Sequence, residues 1–134
     1  MTSSRSPSIA IAAGVAVGAT WLALMEATVR FIPEASPWRS TVSATLTSLG
    51  PIIPGFAAGL VAARRGFTVG AVASVLTSIL WSIYVNFMAP HSVMDHAPAA
   101  VIPEEVTYAL VAVLVGGICG IAGATLARER WKAL

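Results

Sequence analysis

From Ser40 to Ala63 the chain carries no charged residue, and the run ends on the pair Arg64-Arg65. A helix of about 20 apolar residues crosses the hydrocarbon layer of a bilayer. A soluble core of this small size has no use for so long an uncharged stretch. Comparable runs recur from Ile9 to Met25, from Phe67 to Ala89 and from Val106 to Ala127. Composition agrees: 57% of residues are hydrophobic and 10% charged, whereas soluble domains carry about a quarter charged residues. Mean hydropathy is +0.82. The reading is an all-α integral membrane protein, a single domain over residues 1–134. Its four transmembrane helices form a compact bundle, with spans at approximately 9–32, 38–63, 67–89 and 104–127.

Met1 to Pro7 is a short polar tail with one basic residue, Arg5, and the first apolar run continues through Glu26 and Arg30 to Pro33. A basic tail before an apolar run also describes a secretory signal peptide. The run is long for one and its Ala-x-Ala sites are poorly placed, so it is read as the first span. Ser36-Pro37 has the form of a helix cap followed by proline at the first helical position. Within the second span, Gly50-Pro51 and Pro54-Gly55 predict a kink, because proline lacks a backbone donor and clashes with the preceding turn. Arg64-Arg65-Gly66 reads as a tight turn. The longer loop, Pro90 to Ile102, precedes Pro103-Glu104-Glu105, whose carboxylates suit the first turn of a fourth helix.

Arg5, Arg64, Arg65, Arg128, Arg130 and Lys132 gather on one side of such a topology, and Arg30 and Arg39 on the other. Six cations against two place both termini in the cytoplasm by the positive-inside rule. Trp38, Tyr84, Phe87 and Tyr108 fall near the outer interface and Trp131 near the inner one. The net charge of +2 does not imply nucleic acid, because the basic residues are split among helix ends. In outline the chain resembles small four-span proteins of bacterial cytoplasmic membranes, a likeness that carries no function. Ala58-Gly59-x-x-x-Ala63-Arg64 resembles Ala122-Gly123-x-x-x-Ala127-Arg128, which suggests two helical hairpins related by parallel duplication.

Small residues at helical spacing are the clearest packing signal. Ala12, Ala16, Ala19 and Ala23 share a face of the first span, with Gly14 and Gly18 beside them. Thr41, Thr45, Ser48, Gly55, Gly59 and Ala62 form a stripe in the second span. Ala109, Ala112, Gly116, Gly120, Gly123 and Ala127 form one in the fourth. Lipid gives no hydrophobic drive for helix association, so close backbone approach must supply it. These faces are expected to close the bundle, and a dimer interface is the alternative.

Glu26 is the one acidic residue inside a span, and it continues the alanine stripe, so it is expected to face the bundle. Arg30, at i+4, is its expected partner and Arg39 a second one. Snorkelling of the pair to the interface is the plainer reading. Thr45 and Ser48, with the other hydroxyls of the second span and Asn86 of the third, are candidates to line a polar cavity beside the prolines. The competing expectation is that the hydroxyls bond back to their own helix. His91, Asp95 and His96 are weak metal candidates in an exposed loop without a ligand motif. Cys119, the single cysteine, has no partner for an internal disulfide. No cofactor motif and no paired catalytic groups occur, so no enzyme activity is expected.

Two functions compete on this basis. One is a structural or accessory membrane protein that assembles with itself or a larger complex through its small-residue faces. The other is a small oligomeric transporter or channel using Glu26 and the hydroxyl-rich second helix.

Overall fold

The computed structural model describes the backbone of residues 6–87 and 98–132, and the side chains of residues 6–85, 106–130 and 132. It is all-helical there: α1 (Pro7–Phe31), α2 (Arg39–Ser48), α3 (Ile52–Ala62), α4 (Gly66–Phe87) and α5 (Pro98–Lys132). Four stretches are long and apolar enough to cross a membrane: Pro7–Phe31, Arg39–Ala62, Gly66–Val85 and Val106–Arg130. Their ends differ from those of the expected spans by one to four residues. The last helix is longer than expected. It begins at Pro98, so residues 98–102 are helix and not loop, and Pro103 lies within it. Its 35 residues rise about 52 Å, well beyond the hydrocarbon thickness.

Local chemistry sets the ends of α1. Pro7 occupies the first turn, where its missing N–H costs nothing, and Ile32 is extended because Pro33 follows it. The second span is two helices. In an unbroken helix the nitrogens of Pro51 and Pro54 would have to donate to the carbonyls of Thr47 and Gly50, and neither nitrogen carries a hydrogen. The chain turns instead through Leu49, Gly50 and Pro51, with Gly50 N–H donating to the Thr47 carbonyl at 2.9 Å and Ile52 N–H to that of Leu49 at 3.1 Å. Pro54 then falls in the first turn of α3, where no donor is needed. The disturbance expected at both prolines is an interruption at the first of them.

The hairpin of α3 and α4 is central, since each packs against both α1 and α5. Glycine makes this possible. A β-carbon on Gly55 would strike the Gly116 backbone, its Cα at 2.7 Å, and one on Gly59 would meet Cα of Gly120 at 2.8 Å. Gly123 faces the carbonyl of Phe56 on this same side, and on the other side of α5 Gly70 of α4 faces Gly116 and Gly120. Gly14 and Gly18 seat α1 on Pro54, Ala58, Ala73 and Thr77. The core is correspondingly fine-grained, with Ala10, Ala58, Ala62, Val69 and Ala73 buried together. The two arginine-ended motifs finish differently: Ala63 takes a left-handed conformation and ends α3, whereas Ala127 is buried within a helix that continues.

α2 is the exception to this packing. None of its residues is buried, and its main packing among the described elements is against α1.

Candidate functional site

Two polar features meet the second span and the C-terminal half of α1. The first surrounds the break. The prolines take the usual helical donors from the carbonyls of Thr47 and Gly50. Those of Pro51, the N-cap of α3, and Leu46, which accepts from Leu49 N–H at 3.3 Å, each keep a backbone donor and gain a side-chain one. Ser74 of α4, fully buried, donates its hydroxyl to the carbonyl of Pro51 at 2.7 Å. Trp21 of α1 donates its indole N–H to the carbonyl of Leu46 at 3.3 Å, on the other side of the break. Thr77, also buried, bonds back to Ala73, and Ser78 to Ser74. Ser74 and Thr77 are the two buried polar side chains among the described residues, and no buried side-chain nitrogen or oxygen there lacks a partner.

The second feature is the Glu26 neighbourhood. Arg30 Nε donates to Glu26 Oε1 at 2.8 Å, and its Nη2 donates to the Tyr84 hydroxyl at 3.4 Å. Tyr84 in turn stacks on Trp81, with ring centroids 5.6 Å apart. The expected Glu26–Arg30 pair therefore forms, but its setting differs from the expectation. The alanine stripe of α1 faces outward: Ala12, Ala16, Ala19 and Ala23 are exposed, while Ala10, Gly14, Gly18 and Met25 are buried. Glycine outcompetes alanine for the contact because it lets backbones approach closer. Glu26 consequently lies at the edge of the bundle, its side chain 33% exposed and that of Arg30 65%.

The other candidate residues are not brought to Glu26. Arg39 instead reaches the Ile32 carbonyl at 3.4 Å and the exposed carboxylate of Glu34 at 3.8 Å. Thr45 donates to the Thr41 carbonyl and Ser48 to that of Ala44, each at 2.8 Å, and both are exposed on α2. This is the back-bonding alternative of the sequence reading. Asn86 belongs to α4 by its backbone, and its side chain lies outside the described set. His91, Asp95 and His96 also lie outside the described residues. Among those that are described, no group of three or more metal-ligating side chains occurs.

The packing glycines Gly14, Gly18, Gly55, Gly59, Gly116, Gly120 and Gly123 are all buried within the chain. What remains outward is the alanine stripe of α1, next to a shallow open groove lined by Ala16, Val17, Thr20, Trp21, Leu24 and Ile53. Trp21 and Ser74 do not stand out in the sequence. The available signal for Ser74 is its place in the small-residue series Gly66, Gly70, Ser74 and Ser78 of the third span. Comparison of the chain with protein-family models, with curated proteins and with solved structures finds no match.

Proposed function

We propose that this chain is a non-enzymatic structural or accessory protein of the bacterial cytoplasmic membrane, with both termini in the cytoplasm, which works by assembling with itself or with a larger membrane complex. The observation that carries this reading is how the small residues are divided. The glycines are consumed inside the chain, and the alanine stripe Ala12, Ala16, Ala19 and Ala23 is left on the outside of α1. Small side chains at three- and four-residue spacing suit a further helix approaching in lipid. The assembling face is therefore this stripe, in place of the glycine faces that the sequence suggested. Support also comes from the interior, where no charged side chain is buried among the described residues.

The test separates the two small-residue faces. Ala16→Leu with Ala19→Leu leaves a folded four-helix monomer and lowers the native mass of the purified complex. Gly59→Leu disrupts the monomer itself. An unchanged native mass in the double leucine variant would sink the proposal.

A second reading, a small transporter or channel, draws on the exposed hydroxyls of α2 and the interruption below them. On that reading Glu26→Gln abolishes solute- or proton-dependent flux in proteoliposomes without preventing insertion. In an accessory protein the same substitution is silent.

A further inference from the structure

The turn between α3 and α4 has the wrong residues for its backbone. Ala63 has φ 52° and Arg65 φ 55°, both in the left-handed region where glycine is at ease and a side chain is not. A glycine is available next door, but Gly66 has negative φ and is committed to packing. A β-carbon there would collide with the Gly120 carbonyl and come within 2.8 Å of the Ala124 methyl. Arginine is thus held at a position that glycine would fill without strain.

That contact also fixes where the arginines are. Gly66 on Ala124 brings the Arg64–Arg65 turn to the end of α5 that carries Arg128, Arg130 and Lys132. Arg64, Arg65, Arg128, Arg130 and Lys132 are all exposed, and Glu129 is the single acidic residue among them. Five cations against one carboxylate leave a formal surplus of four at one end of the bundle. Arg128 is partly ordered along its helix, its Nε donating to the Ala124 carbonyl at 3.2 Å and its Nη2 to the Thr125 hydroxyl at 3.4 Å.

We infer that this end is a binding surface for the phosphodiester headgroups of anionic lipids, with Arg65 retained in a strained turn for its charge. The inference rests on the membrane reading of the four helices, which puts these residues at headgroup depth. The planar guanidinium fork matches phosphate oxygens, and juxtamembrane basic clusters gain strongly from anionic leaflets. The competing explanation is that the charges only orient the chain during insertion.

The experiment is native mass spectrometry of the full chain released from nanodiscs of mixed phosphatidylglycerol and phosphatidylcholine. Extraction of the chain from membranes by detergent but not by alkaline carbonate is checked first. A chain that fails this check removes the membrane reading and the inference together. Wild type retains phosphatidylglycerol in preference to phosphatidylcholine, and high salt weakens the preference. Arg64→Gln with Arg65→Gln lowers the preference about 30-fold, and Arg64→Lys with Arg65→Lys retains most of it. Arg65→Gly is the sharpest arm: it raises thermal stability in lipid-free detergent by relieving the turn, yet lowers phosphatidylglycerol retention about 5-fold. Arg130→Gln with Lys132→Gln, away from the turn, gives a loss comparable to the Arg64/Arg65 pair. An integrated wild type without phosphatidylglycerol preference overturns the inference while leaving the membrane reading intact. So does equal retention in all variants, or an acidic protein held by this end in place of lipid.

Discussion

Gly59→Ala puts the packing argument at risk. Alanine is the better helix former by about 1 kcal/mol, so in an uncrowded helix the substitution would stabilise. At position 59 the new β-carbon collides with the Gly120 carbonyl and lies 2.8 Å from both its C and Cα atoms. These are backbone atoms of α5, and they cannot rotate away as a side chain would. α5 must move, and its other side is closed: Gly120 itself faces Gly66 and Gly70, with Gly70 Cα 2.9 Å from where its own β-carbon would stand. Overpacking of this kind costs about 1–3 kcal/mol, and blocked backbone puts it at the upper end. Less the propensity gain, the net destabilisation is about 2 kcal/mol. The assay is reversible unfolding in mixed micelles of increasing denaturing-detergent fraction, followed by circular dichroism. Ala122→Gly, at an exposed position on α5, is the control and loses about 1 kcal/mol through propensity alone. If Gly59→Ala is neutral or stabilising, the close approach of α3 and α5 does not hold the bundle together, and the account of the fold fails with it.

Two further substitutions probe the break in the second span. Ser74→Ala removes the hydroxyl that serves the Pro51 carbonyl and destabilises the bundle by about 1–2 kcal/mol, measured by the same unfolding assay. A wild-type value in that assay would mean the Pro51 carbonyl needs no donor beyond the first turn of α3. Trp21→Phe keeps the ring and deletes the N–H that reaches Leu46, so the effect is concentrated on α2, which has no buried residue of its own. Backbone amide exchange over residues 39–48 rises while that of α3 and α4 stays at the wild-type level. Uniform exchange across the second span in both proteins would refute the hydrogen bond as what secures α2.

Glu26 and the alanine stripe show where one-dimensional reasoning reaches its limit. Span number and approximate ends follow from sequence because the cost of placing residues in lipid adds up along the chain, independent of neighbours. Proline's missing hydrogen is also a local property, and α2 ends at Ser48 and α3 begins at Ile52 on either side of Gly50-Pro51. Helical periodicity also identified small-residue stripes, and in α3 and α5 the right face turned inward. In α1 two sets of small residues competed, alanines on one face and glycines on nearly the opposite one. Their order was decided by the partner: Ala58, Pro54 and Ala73 leave no room for a methyl group at Gly14, so the glycines go in and the alanines, with Glu26, go to the rim. The same holds for the hydroxyls. Thr45 and Ser48 were conspicuous by number, yet they bond within α2, while the serine that meets the break comes from α4, 23 residues away from Pro51. Sequence alone determined how many stretches are long and apolar enough to cross a membrane, and how apolar they are. Which face of α1 is buried, which hydroxyl serves the broken helix, and that Arg65 rather than Gly66 takes the left-handed turn were decided only by tertiary structure. The physical reason is that these choices depend on distances between segments remote in the chain, which hydrophobic periodicity does not encode.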